Sequence, residues 1–162
     1  MSATRPPSIL FVCLGNICRS PLAEGIFLHL AERHGLDGVV VDSAGTGDWH
    51  AGEGPDRRAM AVARRRGVHL PSIARQVRVP EDFDRFTHLV PMDASNMAHL
   101  LDLGAPPGRV RLMRAYDPAH AGLPVAPDVP DPYYGGDDGF DRVFDMLESA
   151  CLGLVEHLRT GS

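Results

Sequence analysis

The passage from Ser8 to Leu30 constrains the fold most: a continuous apolar run stops at a cysteine, a short loop follows, and a helical period begins. Ser8-Ile9-Leu10-Phe11-Val12 shows no polar alternation, which predicts a strand buried on both faces, as in a parallel sheet covered by helices. Beyond Cys13 the loop holds Gly15 and Asn16. Ser20 and Pro21 then predict the N-cap and first position of a helix. Leu22, Ala23, Ile26, Phe27 and Leu30 share one helical face, and Gly35 supplies the stop.

The alternation continues. Val39-Val40-Val41 predicts a second strand running into Ser43-Ala44-Gly45, and residues 55–66 predict a helix whose last turn, Arg64-Arg65-Arg66, suits the negative end of the helix dipole. Thr87 to Met92 reads as a third strand, weakened by Pro91, which has no N–H for the ladder. A helix over 94–103 and a fourth strand over 109–113 follow. Residues 114–139, with Pro118, Pro124, Pro127, Pro130 and Pro132, form a loop of a length that is usually functional or disordered. Phe140, Val143, Phe144, Leu147, Cys151, Leu154, Val155 and Leu158 repeat at three and four, which predicts a last helix with Cys151 as a core thiol. The expected fold is α/β: an open, doubly wound, four-stranded parallel sheet with helices on both faces, one domain over 8–160 after a short disordered lead-in at 1–7. Ligands of such folds sit beyond the carboxyl ends of the strands, where Cys13 lies.

Composition narrows the chemistry. A net charge of -5 argues against nucleic acid or an anionic membrane as partner. All 16 basic residues are Arg, so Schiff-base chemistry and a Walker-type phosphate loop, which need a lysine, are excluded. Three cysteines without a secretory apolar segment point to a reducing compartment, so the cytoplasm is the expected location. The eight histidines are scattered singly, so no metal is expected.

Residues 13–20, Cys-Leu-Gly-Asn-Ile-Cys-Arg-Ser, combine what phosphoryl transfer to sulfur needs. A loop between strand and helix aims backbone N–H groups of Leu14, Gly15, Asn16, Ile17 and Cys18 at an anion, reinforced by the helix dipole. Gly15 and Asn16 permit the positive φ that lets the loop curl. Arg19 adds a planar fork for two phosphate oxygens. Helix N-termini and cations favour a thiolate, which casts Cys13 as nucleophile, and Ser20 stands where it can hydrogen-bond the departing sulfur.

With these residues in view the sequence resembles the low-molecular-weight protein tyrosine phosphatases. Their Cys-x5-Arg-Ser signature near the N-terminus is matched by Val12 to Glu24. The similarity extends to Asp42-Ser43-Ala44-Gly45-Thr46, Trp49, Ala74-Arg75-Gln76, Met92-Asp93, Tyr116-Asp117-Pro118 and Asp131-Pro132-Tyr133-Tyr134-Gly135. The resemblance implies phosphotyrosine hydrolysis through a cysteinyl-phosphate, with Asp131 as general acid and base and no cofactor. A carboxyl beside bound phosphate and away from solvent keeps its proton more readily. The resemblance also implies a substrate slot walled by Trp49, Tyr133 and Tyr134, with His50 tuning selectivity, and a Cys13–Cys18 redox pair. Phosphotyrosine proteins, a cognate tyrosine kinase and inhibition by phosphate-like oxyanions follow as expected partners, and as in some relatives Tyr133 and Tyr134 are expected phosphorylation sites. Asn16 and Ser43 belong to a supporting hydrogen-bond network in which relatives place a His; here that position is Ser72. Two other readings are an arsenate reductase of the same fold, which needs two further redox cysteines that are missing between Cys18 and Cys151, and a non-catalytic phosphate sensor.

Overall fold

The computed structural model of the chain describes residues 5–133, 135–136 and 138–161. Strands β1 (Ser8–Cys13), β2 (Val40–Gly45) and β3 (His88–Pro91) alternate with helices α1 (Arg19–Arg33), α2 (Arg57–Arg65), α3 (Glu81–Arg85), α4 (Ala94–Asp102) and α5 (Asp138–Thr160). The strands form one parallel sheet in the order β2-β1-β3, so the apolar run is the central strand. Its register sets Ser8 opposite Val40 and Cys13 opposite Gly45, with Val12 opposite Pro91 on the other side.

The period of a strand divides β1 between two cores. Ile9, Phe11 and Cys13 face the α1–α5 side among Leu22, Ile26, Phe27, Phe144, Leu147 and Cys151. Leu10 and Val12 face Val77, Phe83, Phe86 and Leu100 on the α3–α4 side. Helices therefore cover both faces, as the unbroken apolar run requires. Cys151 is fully buried and donates to Ala23 O (3.7 Å), which agrees with its reading as a core thiol.

The expected fourth strand over 109–113 is not formed, and among the described residues the sheet has three strands. Val110 makes a single parallel bridge to Leu89. Short 3₁₀ turns at Pro107–Arg109 and Met113–Tyr116 close in from either side and leave too little extended chain for a ladder. Pro107, with its fixed φ, opens the first of them. The following segment is irregular beyond a 3₁₀ turn at Pro118–His120, but it is anchored. Val129 N donates to Met92 O (2.8 Å), which brings the loop back to the carboxyl end of β3. The arginine run at the end of α2 ties this helix to α5 through Arg65–Asp141 (3.0 Å) and Arg66–Asp145 (2.8 Å).

The start of α1 also differs from expectation. The helix begins at Arg19, its N-cap is Cys18, and no side chain caps it. The Ser20 hydroxyl lies 2.9 Å from Cys13 Sγ and accepts from Asn16 Nδ2 (2.8 Å). The hydroxyl is engaged by the loop and does not cap the helix, and in the first turn the N–H groups of Arg19 and Ser20 meet no acceptor among the described residues.

Candidate active site

The loop from Cys13 to Arg19 is folded back by its carbonyls. Thr46 N donates to Cys13 O (2.9 Å), Gly47 N to Leu14 O (2.9 Å) and Asp56 N to Ile17 O (2.8 Å). Among the described residues, the N–H groups of Leu14, Gly15, Ile17 and Cys18 have no hydrogen-bond acceptor in the protein. Donors left open next to a helix N-terminus make an anion cradle. Asn16 takes the positive φ, at 58°, that lets the loop turn. Gly15 does not, contrary to expectation; a Cβ there would lie 3.1 Å from His50 Cδ2, so the glycine makes room for a ring.

Arg19 reaches across the cradle with 2% of its surface exposed. Its Nη1 donates to Asp93 Oδ2 (2.7 Å) and to Val129 O (3.0 Å), while Nη2 lies 3.6 Å from Asp131 Oδ2. Burial opposes the guanidinium's charge, but the Cys13 sulfur, the Asp93 hydrogen bond and Asp131 outweigh it and raise its pKa above the ordinary value. One nitrogen is thus fixed by the scaffold and the other is turned toward Asp131. Asp93 was not among the sequence candidates. Its signal is positional: an Asp two residues past the end of β3 that also caps α4 by accepting from Asn96 N (2.7 Å).

Cys13, Leu14, Gly15, Ile17, Cys18 and Arg19 form the floor and Trp49, His50, Asp131 and Tyr133 the walls of a cavity of about 350 Å³. Trp49 is 69% exposed at the rim and lies so close to Gly47 that a Cβ there would overlap its ring. Asp131 is more open than expected, with 35% of its side chain exposed, and its Oδ1 accepts from Tyr133 N (3.0 Å). Tyr134 lies outside the described residues. Burial first, then the charge on Asp56 and the Cys13 sulfur, hold the Cys18 thiol well above its ordinary pKa, so Cys18 stays protonated at neutral pH.

Beneath the floor, Asn16 Nδ2 donates to Ser20 Oγ and Ser43 Oγ (2.8 and 3.0 Å), and Asn16 Oδ1 accepts from Arg75 N (3.0 Å). The Ser43 hydroxyl donates to Glu24 Oε1 (2.6 Å). Glu24 was not singled out from sequence. Burial pushes its pKa up to about 7, with Asp42 adding to the effect while the Ser43 hydrogen bond and Arg75 oppose it. Ser72 does not join this network, and its buried Oγ has no hydrogen-bond partner. The network closes without it because Ser43 turns to Glu24.

No group of three or more His, Cys, Asp or Glu side chains among the described residues is arranged to hold a metal ion. No helix among them is long and apolar enough to cross a membrane.

The profile of the family described as low molecular weight phosphotyrosine protein phosphatase matches residues 8–161. A low molecular weight protein-tyrosine-phosphatase of Streptomyces coelicolor is 48% identical over 93% of each chain. A protein tyrosine phosphatase from Entamoeba histolytica, solved with Hepes in its active site, superposes with a TM-score of 0.86 at 40% identity, over 96% of this chain and 98% of that one. The Drosophila arginine phosphatase DARP shares the fold with a TM-score of 0.84 at 28% identity, over 95% of this chain and 99% of its own. With the profile spanning nearly every residue, and a buried cysteine and arginine sharing one cradle at the end of the central strand, the chain belongs to the low molecular weight phosphotyrosine protein phosphatase family.

Proposed function

We propose that this protein hydrolyses protein phosphotyrosine to tyrosine and phosphate, with Cys13 as nucleophile, Arg19 as phosphate clamp and Asp131 as general acid and base. The observation that carries this is the placing of a sulfur and a guanidinium in the floor of one cavity, with a carboxylate 3.6 Å from that guanidinium. A phosphate dianion meets the open loop N–H groups and Arg19 Nη2, which stabilise charge on the phosphoryl oxygens in the transition state. Cys13 Sγ attacks phosphorus, the bond to the phenolic oxygen breaks, and Asp131 gives its proton to that oxygen. Water then attacks phosphorus and loses its proton to Asp131. The S–P bond breaks, and the Ser20 hydroxyl supports the departing thiolate from 2.9 Å. Asp131 Oδ2 lies 3.6 Å from the Arg19 Nη2 that a phosphate oxygen also engages, so phosphate competes with that pairing as it binds.

Trp49, His50 and Tyr133 make aromatic walls, which suit a phenyl ring better than the short stem of phosphoserine. The relatives' names supply the same substrate class. Tyr134 is kept as a wall residue from the resemblance alone. Phosphate-like oxyanions compete for the cradle, and a tyrosine kinase supplies the substrates, in the cytoplasm. Cys18 serves as resolving thiol for an oxidised Cys13; peroxide followed by thiol should restore the wild type more fully than Cys18→Ser, and equal recovery removes the role.

The decisive assay follows p-nitrophenyl phosphate with wild type, Cys13→Ser and Asp131→Asn. The serine variant is expected to lose essentially all activity and the asparagine variant about 10²-fold or more. A fully active serine variant eliminates the thiolate mechanism. Matched phosphotyrosine, phosphoserine and phosphoarginine peptides test the walls, the last because an arginine phosphatase shares the fold.

A further inference from the structure

We propose that Arg58 is a positioning residue for the acid: it fixes the Asp131 segment against the phosphate loop. This rests on the reading of Asp131 as general acid.

Asp131 lies in irregular chain, and its carboxylate is about a third exposed, so no helix or strand ladder sets its position. The segment is held from both ends. On one side Arg19 Nη1 and Met92 O secure Val129, through its carbonyl and its N–H. On the other side Arg58 Nη1 donates to Tyr133 O (3.0 Å). Tyr133 in turn donates its N–H to Asp131 Oδ1, so the Tyr133 backbone, through its carbonyl on one side and its N–H on the other, links the arginine to the acid.

Arg58 is itself unusually well fixed for a surface arginine. Its Nε and Nη2 bind the two carboxylate oxygens of Asp56, each at 3.1 Å, as a fork. Its guanidinium carbon lies 5.2 Å from the centre of the Tyr133 ring and 4.7 Å from that of Phe140 in α5. Asp56 caps α2, and its own N–H donates to Ile17 O in the phosphate loop (2.8 Å). An unbroken series of contacts therefore runs from Ile17 through Asp56, Arg58 and Tyr133 to Asp131. It references the acid to the cradle it must serve. Only a planar, multiply donating group does this; a lysine offers one compact charge without the fork or the stacking face.

General acid catalysis depends on placement, and an error of about 1 Å costs as much as 10²-fold. Loss of the bracket should thus appear only where a leaving group needs a proton. In Arg58→Met, kcat/KM for phenyl phosphate should fall about ten-fold, while that for 2,4-dinitrophenyl phosphate, whose phenolate leaves unaided, should change by less than about two-fold. Added to Asp131→Asn, the same substitution should cost less than about two-fold on phenyl phosphate, because the group it positions is already gone. Arg58→Lys should behave like Arg58→Met. Equal losses on both substrates, full additivity with Asp131→Asn, no loss at all, or a lysine that restores the rate each overturns the bracket. An Asp131→Asn variant that hydrolyses phenyl phosphate normally instead removes Asp131 as the acid, and the inference falls with that reading.

Discussion

The side chain of Asn16 makes three hydrogen bonds while its backbone sits at a φ of 58°, so two separate demands meet in one residue. The left-handed region costs an ordinary residue roughly 1–2 kcal/mol, which Asn lessens by local hydrogen bonding and Gly avoids. Replacing Asn16 by Gly removes only the hydrogen bonds, whereas Ala removes them and adds strain. Both variants should lose activity, because Ser20 and Ser43 are left without the amide that holds them. In urea unfolding Asn16→Ala should be the less stable of the two by about 1 kcal/mol; a less stable Gly variant contradicts the assignment of strain. The turning capacity of Asn16 was legible in the sequence because it is a property of the residue itself. The reason for Gly15 was not, because His50 enters from a segment far along the chain. Asp93, Glu24 and the Val129 carbonyl were hidden for the same reason: each acquires its role from a partner that only the fold supplies.

Helix α5 was the most legible element, since its apolar stripe repeats over many turns and every predicted stripe position up to Val155 is buried. The fourth strand was the least legible, because Pro107 and the turn at Met113–Tyr116 compete for the same short stretch. Helix α5 and the Met113–Tyr116 turn meet at Gly153. A Cβ there would lie 1.8 Å from Tyr116 O, so the helix rests directly on the backbone of the 3₁₀ turn. Helix propensity alone favours alanine over glycine by about 0.8–1.0 kcal/mol. The close approach predicts the opposite sign. Gly153→Ala should be destabilised by about 1–3 kcal/mol, the usual cost of overpacking, and should show a lower Tm by calorimetry. A gain in Tm would mean that α5 and the turn separate freely. Since the same irregular chain continues toward Asp131, the variant also tests how strongly the Asp131 segment depends on this contact.

Across the whole molecule the α/β layering follows from β1 being apolar on both faces, and it was readable for that reason. What no single segment discloses is that folding places a carboxyl in the α1–β2 contact. Glu24 is 5% exposed and faces Ser43 and Asp42 from β2 and Arg75 from the chain between α2 and α3, where Arg75 is shared with Asp42 and Asp82. Its pKa is raised from an ordinary 4.5 to about 7, so the folded protein holds a proton that the unfolded chain releases. The sign follows: its contribution is fully present below pH 4.5 and is lost as pH rises through 7. The size is on the order of 3 kcal/mol for a nearly buried group. His88 and His157, whose rings lie 6.2 Å apart, slope the other way. Burial, then His157, lowers the pKa of His88, and burial, then Arg111, lowers that of His157. Their contribution is present above pH 6.5 and fades as the pH falls below it. Wild type alone would therefore show a muted pH profile, and the comparison with Glu24→Gln isolates the carboxyl, because the histidine terms cancel. Glutamine keeps an oxygen for the Ser43 hydroxyl and cannot ionise. The stability of wild type relative to Glu24→Gln should decline from pH 4.5 to 7.5, read by urea unfolding across the range. Parallel curves would mean that Glu24 titrates alike in both states and that the α1–β2 contact excludes less water than its burial indicates.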